Sequence, residues 1–198
     1  MKRSLIVLLA LLCAASFVVA ADKASSSTAL TPWVDKGSLL VNAGIGWGGL
    51  AGGAEYTFAR IDIANLIPVT FGAAARVCLD PGLFTPDWTT FGIGAFGTAH
   101  FGFKSVNLPS GFSWFSNFDA YVGLGLGVAS GTTSISYYKP TPGVGISTFE
   151  GAAYYLNDKL ALNFEYGYIG RIKYEWSGYT SDYGYPAWYS TVGVILKL

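Results

Sequence analysis

The chain has 198 residues and a charged fraction of only 12%, about half that of an average soluble domain. Basic and acidic residues are equal in number, so there is no electrostatic case for nucleic-acid binding. The hydrophobic fraction is 52%, yet the chain after the first 20 residues contains no apolar run long enough for a membrane-spanning helix. Its hydrophobicity is spread out by alternation with small and polar residues, and glycine is about twice as frequent as usual.

The amino-terminal segment has the pattern of a secretory signal peptide. Lys2 and Arg3 form a positive region, an apolar core follows, and small residues precede a cleavage position near Ala20. The pattern predicts Sec-type export. An uncleaved anchoring helix is the alternative, although the apolar run is short for a span of about 20 residues.

Removal of this leader leaves Cys78 as the only cysteine, so no intrachain disulfide can form. The cleaved chain has 10 basic and 12 acidic residues, and therefore a net charge near −2. A small exported domain without disulfides needs another source of stability, and a closed, hydrogen-bonded barrel in lipid provides one. Cys78 itself is interpreted as a small buried filler.

The strongest structural signal is a strict two-residue alternation from Phe118 to Val128. Apolar residues alternate there with Asp119, Tyr121 and glycines, which makes one face of a strand apolar and the other small or polar. The pattern returns about eight times behind the export signal, which is typical of a transmembrane β-barrel. The sequence therefore predicts an all-β fold, an eight-stranded antiparallel up-and-down transmembrane β-barrel, with strands at residues 39–47, 54–63, 67–79, 90–104, 118–128, 144–156, 159–170 and 187–198.

The predicted domain organisation follows from these strands. An even strand number puts both termini on the periplasmic side, so the longer loops face outward. The predicted segments are a signal peptide at 1–20, a polar periplasmic leader at 21–36, the barrel at 37–198, long loops at 80–88, 130–142 and 171–186, and inner turns at Asn65 and Asn157–Asp158.

The second predicted strand is ambiguous. Tyr56 and Phe58 suggest an outward face, which Arg60 and Asp62 would continue. Either a β-bulge or a snorkelling arginine at the membrane interface would explain this mixed face.

The segment from Gly151 to Tyr168 combines an aromatic strand end, an Asn157-Asp158 turn and an inward Glu165 flanked by outward aromatics. It resembles the penultimate hairpin of small eight-stranded bacterial outer-membrane β-barrel proteins, which include the membrane domain of outer-membrane protein A, opacity-type proteins and outer-membrane protein W-like barrels. The resemblance implies a location in the cell outer membrane, contact with its lipid, and recognition of the carboxy-terminal strand by the assembly machinery. Leu198 stands where that group typically has an aromatic residue.

An eight-stranded barrel is just wide enough for side chains to fill it. The sequence predicts a structural or surface-exposed role with a plugged lumen, in which Phe96 or Tyr121 covers inward glycines. A narrow channel for small solutes is the alternative. The predicted lumenal charge network comprises Glu55, Arg76, Lys104, Asp119, Glu150, Glu165 and Lys197.

His100 is the only histidine. Hydrolysis would require a nucleophile and an orienting carboxylate beside it, and the serine that lipid A deacylases carry two residues after the histidine is absent. A metal site would require further ligands nearby. The sequence therefore predicts no enzymatic activity, no metal and no cofactor.

Aromatic residues near the predicted strand ends, such as Trp47, Trp88 and Trp188, are typical of membrane-interface girdles. The segment 171–186 is richer in Tyr, Ser and Gly than a girdle requires, which is the composition of recognition loops. Adhesion or binding of an extracellular ligand therefore stays open. The residues that would carry it are Tyr174, Trp176, Tyr179, Tyr183 and Tyr185.

A soluble exported carrier of the lipocalin type is the remaining alternative. The run from Gly44 to Trp47 suggests the Gly-x-Trp element of that family, but Ile45 occupies the required glycine position. Such a carrier would turn its apolar faces inward and its polar faces toward water.

Overall fold

The computed structural model describes residues 30–63, 67–82, 86–104, 110–176 and 179–198, with the backbone alone at 103, 110–112, 176 and 179–183. The predicted signal peptide, the leader up to residue 29 and the turn at Asn65 lie outside these residues. Within them, no helix is long and apolar enough to cross a membrane. The described elements are β1 Thr31–Pro32, β2 Leu39–Trp47, β3 Gly49–Ile63, β4 Ile67–Asp80, β5 Trp88–Lys104, a 3-10 helix Ser110–Asn117, β6 Phe118–Thr133, β7 Tyr138–Thr141, β8 Gly143–Tyr155, β9 Leu160–Trp176 and β10 Tyr179–Lys197.

Eight of these strands form a closed antiparallel ring. Consecutive long strands pair in the order β2-β3-β4-β5-β6-β8-β9-β10. The ring closes because β10 pairs with β2, from Ser190 opposite Trp47 to Lys197 opposite Leu40. The predicted eight-stranded up-and-down barrel is confirmed. The two short strands are additions to it: β1 pairs with the end of β5, and β7 pairs with β9.

Alternation along each strand decides which side chains face outward. On β6, Leu124 and Leu126 are 64% and 62% exposed, whereas Asp119 and Tyr121 are 1% and 2% exposed. Large apolar side chains are exposed in this way on every strand of the ring. So extensive an apolar surface is suited to lipid, and the fold is that of a transmembrane barrel. The lipocalin-type alternative is wrong, because it requires the reverse arrangement.

The mixed face of β3 arises from a β-bulge, one of the two predicted explanations. The register against β4 shifts by one residue at Phe58. Because an extra residue reverses the alternation, Ile61 faces outward beyond the bulge. Arg60 lies at the same end of the strand, where its Nε is 2.7 Å from Asp62 Oδ1.

The end of the barrel that carries both ends of the ring, here called the terminal end, is covered by a strap from Leu30 to Ser38. Trp33 and Val34 in this strap are buried. The Trp33 ring stacks on Tyr155 with centroids 4.6 Å apart, and Lys197 Nζ donates to the Trp33 carbonyl at 2.8 Å. This part of the predicted polar leader therefore packs as part of the folded barrel.

The opposite end of the barrel has an uneven rim. β2 and β3 are joined by a turn at Gly48. β10 pairs with β2 only as far as Ser190, but it pairs with β9 as far as Tyr179. β9 and β10 therefore extend beyond the barrel wall. We call this extension the protruding hairpin. The prediction of a loop at 171–186 is wrong, because β9 and β10 pair with each other there beyond the barrel wall. β7 likewise lies within the predicted 130–142 loop.

Candidate functional site in the barrel lumen

Inward-facing polar side chains from β3, β4, β5, β6 and β9 meet in one buried group, here called the lumenal cluster. Alternation places each of them on the inner face, and all are 5% exposed or less. The lumenal cluster consists of Glu55, Arg76, Thr98, His100, Asp119 and Glu165.

His100 lies between two carboxylates. Its Nδ1 is 2.6 Å from Asp119 Oδ2, and its Nε2 is 2.8 Å from Glu55 Oε1. A neutral imidazole carries one N–H, so two carboxylate partners match a ring that donates from both nitrogens. Thr98 adds a hydroxyl donor to Glu55. The histidine therefore joins β3, β5 and β6 through charge-assisted hydrogen bonds.

Arg76 joins this half of the cluster to Glu165. Its Nη2 donates to Glu55 Oε2 at 3.3 Å, and its Nε lies 3.4 Å from Glu165 Oε1, an ion pair without hydrogen-bond alignment. The Phe149 ring covers the guanidinium, with its centroid 4.6 Å from Cζ. A buried cation with two anionic partners and an aromatic cover is held in one position, so the cluster ties β4 to β3 and β9.

Glu165 has two further donors. Asn42 Nδ2 donates to Oε2 at 3.2 Å, and the Tyr189 hydroxyl donates to Oε1 at 2.8 Å. A buried carboxylate is stable only when such partners replace its water. The contacts therefore form a continuous path from Asp119, through His100 and Arg76, to the seam between β10 and β2.

Aromatic rings fill the space above inward glycines. A Cβ on Gly151 would lie 2.4 Å from the Tyr121 ring, and a Cβ on Gly123 would lie 2.3 Å from the Phe149 ring. A Cβ on Gly94 would likewise lie 2.8 Å from the Phe96 ring. The prediction that Phe96 or Tyr121 covers inward glycines is therefore confirmed, whereas Phe149 was not predicted in this role. A cavity of about 10 Å³ lies beside Asn42 within the cluster, which is room for about one water molecule.

Two predicted members of the network lie instead at the terminal end. Lys104 Nζ binds Asp158 in the turn between β8 and β9, and lies 4.7 Å from the Trp33 ring centroid. This hydrogen bond lowers the pKa of Asp158. Lys197 donates to the Trp33 carbonyl. Both lysines therefore hold the strap rather than the lumenal cluster.

Glu150 does not face the lumen, and its predicted place in the network is wrong. It is exposed on the outer face of β8, between Val122 of β6 and Tyr166 of β9. The alternation of β8 puts Phe149 inward and Glu150 outward. The prediction was based on the charge of Glu150. The alternation of the strand decides which way the side chain faces, and it turns Glu150 outward.

His100 belongs to the cluster, although its sequence context suggested no role for it. The alternation of β5 places His100 on the inner face, and this could have predicted its role. A buried histidine that faces carboxylates readily joins an ion-pair network. Both of its nitrogens are taken by carboxylates, and among the described residues no group of His, Cys, Asp or Glu is arranged to hold a metal ion. Cys78 is buried, as predicted.

A second group of side chains lies at the opposite end of the barrel and forms an aromatic cluster. The Trp88 ring is 5.3 Å from Tyr174 and 5.8 Å from Tyr138, and Tyr174 is 5.7 Å from Tyr185. These residues come from β5, β7, β9 and β10, so they surround the base of the protruding hairpin. Two predicted recognition residues, Tyr174 and Tyr185, are therefore in contact; the side chains of Trp176, Tyr179 and Tyr183 lie outside the described residues.

Comparisons with protein-family models and with curated proteins give no match. Several solved structures are similar to this chain, and two of them are described here. The outer membrane protein OprG from Pseudomonas aeruginosa has a TM-score of 0.41 and 14% identity, over 82% of this chain and 96% of its own. A structure from the de novo design of transmembrane β-barrels has a TM-score of 0.38 and 15% identity, over 83% of this chain and 98% of its own. Similarity at this level does not identify a function.

Proposed function

We propose that this protein is a structural, surface-exposed barrel of the outer membrane whose lumen does not conduct solutes. The observation that carries the proposal is the filled lumen. Charged side chains pair across the barrel, Tyr121 and Phe149 cover inward glycines, and the cavity inside the cluster has room for about one water. A hydrated ion would have to displace this packing in order to pass.

The location in the outer membrane is supported by two independent features. Every strand of the ring exposes large apolar side chains on its outer face, and the amino-terminal sequence has the pattern of an export signal. With an even number of strands, the terminal end is periplasmic, and the protruding hairpin and aromatic cluster are extracellular.

Conductance across a planar lipid bilayer tests the closed lumen. We expect reconstituted protein to give no current steps above those of the bare bilayer, because the lumenal cluster and the aromatic rings block the path. The control is a variant with Tyr121→Ala and Phe149→Ala, which removes two filling rings and should conduct if it folds. Regular steps from the unaltered protein would contradict the proposal.

Recognition of an extracellular ligand is a second candidate, favoured by the aromatic cluster. Rigid tyrosine and tryptophan side chains supply contact area at low entropic cost, and Tyr185 is exposed beside the half-buried Tyr174. We expect labelled proteoliposomes to be retained on an array of glycans and matrix proteins, and Tyr185→Ala to lose that retention. Retention that is absent, or unchanged by the substitution, counts against this role.

A further inference from the structure

The lipid-facing wall contains one charged side chain whose position is unusual. Glu150 is exposed on β8, five residues from Tyr155 at the terminal end and seven from Gly143 at the other. With a rise of about 3.3 Å per residue and a tilt of about 40°, it lies roughly 12 Å inside the terminal end. The other charged outward residues on the described strands of the ring lie in the protruding hairpin: Arg171, Lys173 and Glu175. Arg60 and Asp62 lie at the end of β3, beyond the bulge that turns Ile61 outward.

Glu150 lacks any partner within the described part of the chain. Its cross-strand neighbours are Val122 and Tyr166, both exposed, and no hydrogen bond or ion pair to a described residue reaches its carboxyl group. A carboxylate at this depth in hydrocarbon is costly, and such groups in membrane proteins face a partner or water. The Glu150 carboxylate therefore requires a hydrogen-bond donor from another molecule.

We propose that the face around Glu150 binds a second copy of this chain. The face carries both halves of a reciprocal hydrogen bond, because Tyr166, whose hydroxyl also lacks a described partner, is the cross-strand neighbour of Glu150 on the same outer face. A two-fold axis along the membrane normal, passing between β8 and β9, sets Glu150 of each copy against Tyr166 of the other.

The shape of the face also suits close approach. Ala120 and Ala152 are directly opposite each other on β6 and β8, two residues from Glu150, and both small side chains face outward. Small residues let membrane-embedded elements approach closely, and hydrogen bonds between polar side chains then hold them together. This inference rests on the membrane location of the proposed function, which flotation with liposomes tests separately.

Subunit counting by single-molecule photobleaching in dilute liposomes tests the proposal. We expect the unaltered protein to be a dimer and Glu150→Leu to be a monomer with an intact barrel, since leucine suits the lipid-facing wall. Tyr166→Phe should raise the dimer dissociation constant roughly five- to thirtyfold, because the symmetric contact loses two hydrogen bonds, one from each copy. The matched control is Tyr56→Phe, which removes an exposed hydroxyl from β3 on the far side of the ring and should leave the dimer unchanged.

Each other outcome of this experiment overturns the proposal. A monomeric unaltered protein would mean that a different membrane component, or none, meets Glu150. A dimer that survives both Glu150→Leu and Tyr166→Phe would place the contact on another face. If Glu150→Leu fails to insert, the comparison of Tyr166→Phe with Tyr56→Phe decides alone, and equal dissociation constants for the two would also contradict the proposal.

Discussion

Arg76→Met is expected to lower the free energy of unfolding by about 3–5 kcal/mol, because it leaves two buried carboxylates without their shared cation. Methionine keeps much of the length of the side chain, so the loss reports charge more than volume. Arg76 contacts Glu55 and Glu165 on two different strands. Removal of the guanidinium therefore leaves the negative charge of Glu55 and Glu165 unbalanced in a lumen with little room for water.

The double variant gives the sharper measurement. Glu165→Gln alone should also destabilise the barrel, since it leaves Arg76 with one anionic partner and changes the acceptor of Asn42 and Tyr189. If the two side chains act as a pair, the combined variant loses less stability than the sum of the single losses. Equilibrium unfolding by urea in lipid vesicles, followed by tryptophan fluorescence, measures all three.

The control for this cycle is Glu175→Gln, which removes the same charge from an exposed position on the protruding hairpin. It should change stability by less than about 0.5 kcal/mol. If Arg76→Met and Glu165→Gln were no more costly than this control, the lumenal charges would be solvated. The closed-lumen proposal would then lose its support.

Much of this fold could be predicted from the sequence, since alternation has the same period as the strand itself. The predicted limits of β2 coincide with the observed strand, and the mixed polarity of β3 indicated the bulge now seen at Phe58. Alternation also gave the inward direction of Arg76 and Glu165. Glu150 shows that this parity is a stronger guide than the charge of a residue.

The contacts within the lumen could not be predicted in the same way. Alternation along a strand predicts that a side chain points inward, but the stagger between strands decides which inward side chains are in contact. Asn42 and Glu165 form a hydrogen bond across 123 positions of sequence, and no local pattern links them. The same reason explains why Lys104 and Lys197, whose charges suggested lumenal partners, lie instead at the strap.

The protruding hairpin and the strap escaped prediction for another reason. Both segments have the composition of loops, with Ser, Gly, Asp and Pro, and both acquire order from neighbours. Trp33 is fixed by stacking on Tyr155, a contact between residues that are distant in sequence. β9 and β10 extend each other by pairing beyond the barrel wall.

Leu124→Arg is expected to destabilise the inserted barrel by about 2–4 kcal/mol, the cost of arginine near the midplane of a lipid-facing wall. Leu124 is among the most exposed side chains of β6, and its cross-strand neighbours are Gly97 and Thr148. None of these neighbours offers an anion, so the guanidinium would have to reach the interface or draw water into the membrane.

Two controls separate this effect from lost packing. Leu124→Ala removes the same contacts without adding charge, and Tyr137→Arg adds the same charge at an exposed position in the turn before β7; both should cost less than Leu124→Arg. The neighbouring Gly125 is unsuitable as a control, because a Cβ there would lie 1.9 Å from the Ala95 carbonyl oxygen. Urea titrations in vesicles of defined lipid measure the three variants. If Leu124→Arg and Leu124→Ala were equally stable, Leu124 would face water and the assignment of the outer wall to lipid would fail.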